Sequence, residues 1–436
     1  MSEAVPALTI WYEGQPVADI ERTGPEPADL RLGYHAAWNT VAGAFPISVR
    51  FPLGAPVEDG TALYFWLMNM LPEDDALRIV GMNIDVADID VLTMVAAMGG
   101  DLPGALVARP QGDPWMPGRP HRRVWSEAEL ARDIRRLPQR PLLMGDEGVQ
   151  MSLAGQQAKL PVILLEDGRL ALPLDGEPST HILKPSSAQL HASVENEAFC
   201  MRLARRCGLD AADVAIGHAE DLVYLLVRRY DRIQAEGAVR RLHQEDLCQA
   251  LGLPPYRKYQ WNARIRMGGP SATDLFSAIS SGPFAAPNRI AMLDGFVFNV
   301  LVCNVDSHAK NYSILHQARG ARMAPLYDLM CGAIYDGITR NLPQKIAGKQ
   351  RGDHIYGRHW SRLAAEVGLG PAAVRRRVAA LANRVLGELP DLALRMADEI
   401  AVPAIVAQIA EAIAERCRRT LANLDDADVA EADGVA

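Results

Sequence analysis

The sequence predicts an α+β protein with two lobes, because strand-like and helix-like segments are largely separated along the chain. Residues 1–110 and 146–238 contain apolar runs bounded by Gly and Pro turns, a pattern typical of strands. Over residues 239–420 apolar residues recur mainly at helical spacing, with interruptions at a polar loop near residue 306 and at a strand-like piece at 342–346. Strands followed by helices favour a strand-rich amino-terminal lobe and a mostly helical carboxyl-terminal lobe, with a ligand cleft between them.

Shifts in composition indicate further boundaries. Residues 1–110 are predicted to form an amino-terminal subdomain that opens with a hairpin at 8–20 and continues with helices. The proline-rich stretch 111–145 is predicted to be a linker with a short charged helix at 126–137. The Asp- and Ala-rich end, 421–436, is predicted to be a disordered tail.

The composition is that of a globular protein too long for one ordinary domain. The chain has 436 residues, of which 22% are charged and 49% hydrophobic. Its formal net charge is −8 and its sequence pI is about 5.7. Autonomous nucleic-acid binding needs a basic surface that displaces counterions, so this charge balance argues against it and leaves DNA contact to a basic partner.

Cysteine usage and hydropathy predict the compartment. The six cysteines include no C-x-x-C pair and lie mostly in apolar helical contexts, so we expect buried free thiols in a reducing environment. The most apolar stretches, 91–107 and 290–302, each contain an aspartate and fall short of a membrane span. With no export leader recognisable at the start, these features predict a cytoplasmic protein without a membrane partner.

A polar loop after the apolar stretch 290–302 contains oxygen-bearing side chains suited to phosphoryl transfer. That reaction needs a carboxylate to orient the attacking hydroxyl and oxygen ligands to hold Mg²⁺. Asp306, Asn311 and Asp328 supply this set. The Asp-to-Asn spacing matches the protein-kinase catalytic loop, in which a later Asp also holds metal. A polar helix cap and turn explains the same residues equally well, so this loop alone leaves both interpretations open.

A second group of residues, upstream, supplies what a nucleotide site requires. The segment 151–159 is rich in small residues, so its main-chain N–H groups can approach a phosphate closely. Lys184 ends an apolar strand-like run, as the phosphate-binding lysine of kinases does, and Glu195 or Glu197 on the next helix is its predicted ion-pair partner. The same pattern also fits an ordinary hairpin followed by a helix, because acidic residues near a helix N-terminus interact favourably with the helix dipole.

Taken together, these motifs resemble the HipA-type serine/threonine protein kinase toxins of bacterial type II toxin–antitoxin systems. The resemblance covers about residues 8–380 and includes Leu-Pro-Glu-Asp at 71–74. The segments that carry it are Met-Ser-Leu-Ala-Gly-Gln-Gln-Ala-Lys at 151–159, His-Ile-Leu-Lys at 181–184, the stretches 194–204, 227–232 and 243–252, Asn-Val-Asp-Ser-His-Ala-Lys-Asn at 304–311, and Ala-Pro-Leu-Tyr-Asp at 324–328.

The resemblance implies a protein-kinase-like (phosphoinositide-kinase-like) fold. It also implies an enzyme that uses ATP and Mg²⁺ to phosphorylate a translation component such as an aminoacyl-tRNA synthetase. The implied partners are a small helix–turn–helix antitoxin and, mainly through it, DNA. Autophosphorylation at Ser152 would inactivate the kinase, because phosphate adds roughly −1.5 to −2 charges and is expected to expel the phosphate loop.

The resemblance also implies a role for each candidate site residue. Asp306 would be the catalytic base, Asn311 and Asp328 would hold Mg²⁺ on the nucleotide, and Lys184 would contact its phosphates. His308 would orient a phosphate or the nucleophile, or would pack its ring against the loop. Two further segments would bind the nucleotide. The phosphate loop would comprise Ala154, Gly155, Gln156, Gln157, Ala158 and Lys159. The hinge, which begins at Val227, would contribute Arg228, Arg229 and Tyr230. Ala158 and Arg228 depart from the family pattern, which commonly has acidic residues there.

Two other functions remain open from the sequence. A small-molecule phosphotransferase on the same two-lobed plan would keep the same site. A DNA-associated repressor without catalytic activity would use the helix–turn–helix-like segment 363–381, with arginines at 375–377, although any two-helix corner has this pattern. The pair His354 and His359 is suggestive of a metal site but lacks a third convincing ligand, so surface or interface histidines are the simpler interpretation.

Overall fold

A four-stranded antiparallel sheet forms the base of the amino-terminal subdomain. The computed structural model describes residues 5–116, 120–235, 238–400 and 402–425. The first strands and helices are β1 (Ala7–Tyr12), β2 (Gln15–Arg22), β3 (Leu30–Tyr34), β4 (Val107–Pro110), α1 (Ala36–Asn39), α2 (Gly60–Met68), α3 (Asp74–Ile84) and α4 (Val91–Met98). The strand order is β3-β2-β1-β4, so the predicted opening hairpin is β1–β2 at the centre of this sheet.

A six-stranded sheet forms the layer next to the site. Its members and the helices beside it are β5 (Arg122–Val124), β6 (Leu160–Leu164), β7 (Leu170–Pro173), β8 (His181–Pro185), β9 (Val214–Ala219), β10 (Leu222–Arg228), α5 (Glu127–Arg136) and α6 (Ser193–Arg206). The strand order is β5-β7-β6-β8-β10-β9. The stretch predicted as a linker therefore contributes an edge strand and a helix capped by Ser126, while its residues 117–119 lie outside the described residues.

Strand β10 separates two hydrophobic cores. Leu225 and Val227 pack into the core of the helical lobe, whereas Tyr224 and Leu226 pack into the core of the amino-terminal subdomain. Successive side chains of a strand point to opposite faces, so one strand can serve both cores. This double burial holds the sheet between the subdomain and the helical lobe.

The carboxyl-terminal lobe is built on long helices but contains more strands than the sequence predicts. Its elements are β11 (Arg232–Ala235), β12 (Ala238–Arg241), β13 (Gln244–Asp246), α7 (Leu247–Leu251), β14 (Trp261–Asn262), β15 (Met267–Gly268), α8 (Ala272–Ala278), α9 (Ala285–Leu301), β16 (Ser313–Gln317), β17 (Gly320–Met323), β18 (Asn341–Ile346), β19 (Lys349–Arg351), α10 (Gly357–Glu366), α11 (Pro371–Ala397) and α12 (Pro403–Asp425). Most of these strands are too short for an alternating pattern to be recognised in sequence. The predicted α+β class with a mostly helical second lobe is confirmed.

Helix α9 delivers the polar loop to the site. It begins at Ala285, five residues before the apolar stretch 290–302, and ends at Leu301. Cys303 then adopts a left-handed conformation with φ +59°, and its carbonyl accepts a hydrogen bond from Gly332 N at 3.0 Å. The chain therefore turns sharply out of the helix just before Asp306.

All six cysteines are buried and unpaired. No helix of the described residues combines the length and the apolar character that crossing a membrane requires. Helix α12 includes residues 421–425 of the predicted tail, and residues 426–436 lie outside the described part of the chain.

Candidate active site

The two lobes and the amino-terminal subdomain enclose a cleft of about 930 Å³. Residues 154–159 and Lys184 line it from the strand-rich side, and residues from Asn304 to Asp328 line it from the helical side. The subdomain contributes Glu73. Every predicted catalytic, nucleotide-binding and metal-binding residue lines this cleft, although these residues come from distant parts of the chain.

Lys184 lies at the centre of a buried ion-pair cluster. Its Nζ donates hydrogen bonds to Glu197 Oε1 at 2.7 Å and to the carboxylate of Asp328. Burial alone would lower the pKa of Lys184, but the charges of Asp328 and Glu197 outweigh burial and raise it. Lys184 is therefore a fixed cation, and Glu197 rather than Glu195 is its helix partner.

Asp328 is held ionised and in an unusual backbone conformation. Burial opposes its ionisation, but Lys184 and Lys159 lower its pKa. Its φ is +54°, which is uncommon outside glycine, and its carbonyl accepts a hydrogen bond from Asn304 Nδ2 at 3.1 Å. Uncommon backbone angles that surrounding contacts enforce are concentrated at functional sites.

The phosphate loop is closed by its own lysine. Lys159 Nζ donates to the carbonyl of Ala154 at 2.5 Å, and Gly155 has φ +103°. This φ is strained for residues with a Cβ, and a Cβ here would lie 2.8 Å from Lys159 Nζ, so glycine is favoured at this position. Burial lowers the pKa of Lys159 to about 8. The loop thus places a titratable amine in the cleft.

The amino-terminal subdomain holds the start of this loop. Ser152 N donates to Asp101 O at 3.0 Å, and Glu73 N donates to Gly155 O at 3.3 Å. The Ser152 side chain is fully buried, with its Oγ donating to Met70 O at 2.6 Å, and it does not line the cleft. The predicted autophosphorylation residue is therefore inaccessible in this conformation, so the segment must leave its place before phosphate can reach it.

The predicted catalytic loop, residues 304–311, is fixed by hydrogen bonds of its own side chains. Asn311 Nδ2 donates to the carbonyl of Asp306 at 2.8 Å, and Asp306 N donates to Asn304 Oδ1 at 3.1 Å. The carboxylate of Asp306 accepts a hydrogen bond from the Tyr259 hydroxyl at 2.5 Å. Tyr259 thus contacts the predicted base directly, a relationship that the spacing of motifs did not indicate.

His308 is a buried neutral imidazole that faces the cleft residues. Burial lowers its pKa to about 4, so it carries no charge at neutral pH. Its Nδ1 is buried and forms no hydrogen bond within the described residues. Tyr259 packs edge-on against its ring with centroids 5.1 Å apart. The ring therefore packs against Tyr259, while one nitrogen has no hydrogen-bond partner among the described residues, and the orienting role stays a prediction.

Glu73 brings the amino-terminal subdomain into contact with two lysines of the helical lobe. Lys258 Nζ lies 2.7 Å from Glu73 Oε2, and Lys310 Nζ lies 3.9 Å from Glu73 Oε1. Lys310 also pairs with Asp246 Oδ2 at 2.7 Å and donates to Asn69 Oδ1 at 2.7 Å. All of these groups are buried. Because Lys310 lies between Asp306 and Asn311 in sequence, the network ties the catalytic loop to α3.

One residue of the predicted hinge, Arg229, lies in a buried ion-pair cluster. The guanidinium of Arg229 donates to Asp231 Oδ2 at 2.8 Å and to Asp101 Oδ2 at 3.2 Å in a buried cluster. Arg228 N and Arg229 N donate to protein carbonyls at 2.8 Å and 3.0 Å. The Arg229 side chain and these two amides are therefore already engaged within the protein, so the predicted nucleotide-binding role does not extend to these groups. Tyr230 stacks on Tyr327 with ring centroids 5.9 Å apart.

The predicted metal ligands fit Mg²⁺ by chemistry. Asp328 offers an ionised carboxylate and Asn311 an amide oxygen, both hard ligands that Mg²⁺ prefers. The described residues contain no cluster of three or more His, Cys, Asp or Glu side chains that could enclose a metal. Two protein ligands are the usual complement where substrate phosphates and water complete the coordination.

The helix–turn–helix-like segment packs as a two-helix corner of α10 and α11. Arg375 donates to Leu424 O at 2.9 Å, and Arg377 pairs with Asp294, so two of the three arginines contact this chain itself. His354 lies in a 3₁₀ turn before α10, whereas His359 is buried within that helix. The two histidines therefore do not share a helix face as the sequence spacing suggested.

Four functional candidates were missed by sequence reasoning. Glu73, Lys258, Tyr259 and Lys310 all contact the catalytic loop or its neighbours, as described above. Glu73 lies in a stretch that the resemblance included without a role, and Lys310 lies inside the predicted loop. The segment with Lys258 and Tyr259 had no recognisable motif, so only its position in the fold reveals it.

The fold and site together define a protein of the two-lobed kinase-like class. Residues 8–109 match the family model described as HipA N-terminal domain, and residues 151–389 match the HipA-like C-terminal domain. The chain therefore belongs to the HipA family of kinases.

Individual relatives cover nearly the whole chain. The Sinorhizobium fredii protein Y4mE, described as a candidate kinase, is 36% identical over 89% of this chain and 94% of its own length. The serine/threonine-protein kinase toxin HipA of Shewanella oneidensis is 30% identical over 88% of this chain and 89% of its own length. A solved complex of Shewanella oneidensis HipA with HipB and operator DNA matches with a TM-score of 0.83 and 27% identity, covering 97% of this chain and 100% of that one.

Proposed function

We propose that this protein is an ATP- and Mg²⁺-dependent serine/threonine protein kinase that acts as the toxin of a toxin–antitoxin module. The observation that carries the proposal is the convergence of Lys184, Glu197, Asp306, Asn311 and Asp328 on one cleft. These residues supply the lysine–glutamate pair, the base and the metal ligands of phosphoryl transfer.

The reaction follows from where these groups lie. Lys184, a permanent cation, neutralises nucleotide phosphate charge, and main-chain amides of 154–159 hold the phosphates. Asp306 accepts the proton of the acceptor hydroxyl as its oxygen attacks the γ-phosphorus, and the bond to the bridging oxygen breaks to release ADP. Mg²⁺ bound by Asn311 and Asp328 would neutralise charge on the phosphates.

His308 orients the reacting groups without adding charge. Its imidazole stays neutral above about pH 4, so at neutral pH it is either a hydrogen-bond donor or an acceptor at each nitrogen. Its Nδ1 is buried without a hydrogen-bond partner among the described residues, and a phosphate oxygen or the acceptor hydroxyl would supply one. His308 thus assists Asp306 in positioning the acceptor.

The biological setting is proposed from family membership. The acceptor is a translation component such as an aminoacyl-tRNA synthetase, and a small helix–turn–helix antitoxin restrains the kinase and carries most DNA contact. The solved complex of the Shewanella relative with HipB and operator DNA supports this arrangement. The engaged arginines of α11 and the acidic net charge also favour DNA contact through a partner.

Autophosphorylation at Ser152 inactivates the enzyme. Phosphate adds roughly −1.5 to −2 charges to a side chain that is now fully buried against Met70 O, so the loop cannot return to its place. Residues 154–159 follow directly, and their displacement removes the phosphate-binding amides.

Incubation of the purified chain with ATP and Mg²⁺, followed by mass spectrometry of residues 151–159, tests this function. Phosphate on Ser152 in the parent and in the exposed-site control Asp336→Asn, but not in Asp306→Asn, is the expected result. ADP formation without any phosphoprotein, but with transfer to metabolites, would instead indicate a small-molecule phosphotransferase. Operator binding by the chain alone, with no nucleotide binding, would indicate the repressor.

A further inference from the structure

A short hairpin next to the catalytic carboxylate exposes a dense group of large apolar side chains. The hairpin, residues 261–268, comprises β14, β15 and their turn. Trp261, Ile265 and Met267 are 54%, 39% and 40% exposed, and Tyr256 just before them is 41% exposed. No other stretch of that length in the described residues exposes more than two large apolar side chains. Such a group is expected at a binding surface rather than on free surface.

The base of the hairpin is anchored close to the site of chemistry. The Tyr259 hydroxyl donates to Asp306 Oδ1 at 2.5 Å, and Trp261 follows two residues later. Ala309 N donates to Lys258 O at 3.1 Å, so the backbone that leads into the hairpin contacts the loop that carries Asp306. Gln260 N donates to Pro343 O at 3.0 Å, and Arg257 Nε donates to Gly268 O at 2.6 Å. The hairpin is therefore a fixed platform with an exposed tip.

The charge of the hairpin is opposite to that of the chain as a whole. Arg264 and Arg266 are exposed, and neither forms an ion pair with any described residue. The chain carries a net charge of −8, whereas this hairpin carries two exposed arginines and no acidic residue. A partner that covers them is expected to carry acidic groups.

We propose that the 261–268 hairpin is the docking surface for the phosphorylated protein. It holds a segment of mixed apolar and acidic side chains so that the acceptor hydroxyl reaches Asp306. This inference rests on the proposed kinase function and specifies its acceptor. Aromatic, Met and Arg side chains are the types enriched at protein interfaces, and all of them occur on this short segment. A lipid surface would need a larger basic patch than two arginines provide.

Peptide binding to the full chain tests the docking surface without requiring catalysis. The probes are two fluorescein-labelled peptides with a central serine flanked by leucines, one with glutamates at the outer positions and one with lysines there. We expect the glutamate peptide to bind the parent about tenfold more tightly, because it complements the two arginines. Arg264→Glu/Arg266→Glu should lose or invert this preference, and Trp261→Ser should weaken both peptides.

Matched controls separate docking from general surface effects. Arg319→Glu/Arg322→Glu reverses two exposed charges on the β16–β17 hairpin, and Leu394→Ser removes a side chain that is 68% exposed. Equal binding of the two peptides, no binding of either, or equal losses in these controls would overturn the proposal. Binding to vesicles of equal parts phosphatidylcholine and phosphatidylglycerol that depends on Trp261 would overturn it in favour of a membrane surface.

Autophosphorylation measured in parallel keeps the two proposals distinct. Hairpin variants should retain phosphate on Ser152, because Arg264 and Arg266 do not contact the cleft. A parent that binds the glutamate peptide but transfers no phosphate would contradict the kinase function and leave the docking result standing. A parent that phosphorylates Ser152 but binds the two peptides with equal affinity would contradict the docking proposal alone.

Discussion

Glu73 of the amino-terminal subdomain lies 2.7 Å from Lys258 Nζ of the helical lobe, and both side chains are buried. Burial opposes the ionisation of Glu73, but the charges of Lys310 and Lys258 outweigh burial and lower its pKa. Lys310 belongs to the catalytic loop. The subdomain therefore belongs to the predicted active site, because it contacts both the predicted phosphate loop and the loop that carries Asp306.

Glu73→Gln should lower kcat while leaving the ATP dissociation constant within about twofold, because the change loosens the catalytic loop and leaves Lys184 in place. Removing one partner of a buried ion pair should also cost about 3–5 kcal/mol of unfolding free energy, measured by urea titration. Asp75→Asn, at an exposed neighbour on the same helix, is the matched control.

A double variant separates stability from positioning. Glu73→Gln/Lys258→Gln removes both charges and should recover part of the unfolding free energy, because no buried lysine loses its closest partner. It should not recover kcat if Glu73 acts by positioning the loop through Lys310. Full recovery of kcat in the double variant would contradict the positioning role.

Tyr259→Phe should lower kcat about tenfold with little change in the KM for ATP. The change removes the 2.5 Å hydrogen bond to Asp306 and keeps the ring that packs against His308. Steady-state kinetics of Ser152 phosphorylation or ADP formation measures the effect. Tyr256→Phe, at an exposed ring nearby, should have wild-type kinetics, and a larger loss there than at Tyr259 would argue against this role.

ATP affinity should weaken as pH rises through about 8. Lys159 is protonated below that value and neutral above it, because burial lowers its pKa from the usual 10.5. Lys184 and Asp328 keep their charges over the same range, because the pKa of Lys184 is raised and the pKa of Asp328 is lowered. Isothermal titration between pH 7 and pH 9 should show this loss in the parent, and a flat profile in Lys159→Arg. If ATP affinity fell equally with pH in both proteins, Lys159 would be excluded as the source of the pH dependence.

Ser152→Ala should retain nucleotide binding and lose about 1 kcal/mol of unfolding free energy, because Met70 O loses its hydrogen bond. Ser152→Glu should instead lose most ATP affinity, since a buried unpaired carboxylate displaces the segment that precedes the phosphate loop. Nucleotide-induced thermal shift reports both effects. Ser281→Glu, on an exposed loop, is expected to behave as the parent.

Local patterns were sufficient for much of the site. The family spacing predicted that Lys184, Asp306, Asn311 and Asp328 would share one cleft, and they do. The choice between Glu195 and Glu197 could not be made from sequence, because both lie near the start of α6 and either could turn toward the lysine. Packing of α6 against the core makes Glu197 the buried one.

Other features depend on contacts between segments far apart in the chain. Arg229 was predicted at a nucleotide hinge, but its guanidinium pairs with Asp101, 128 residues away, and no local signal reports such a pair. The short strands of the helical lobe were missed for a related reason. Their pairing is set by neighbours in space, as when β13 pairs with β16, and not by alternation within a few residues.

By itself, the sequence determined the fold class and the family and predicted which groups react, because these depend on periodicity and on short motifs with fixed spacing. Only the tertiary structure decided that Glu73 reaches two lysines of the other lobe, that Ser152 is sealed against Met70, and that Tyr259 touches Asp306. These relationships join distant segments through burial and hydrogen bonding, which the order of residues along the chain does not specify.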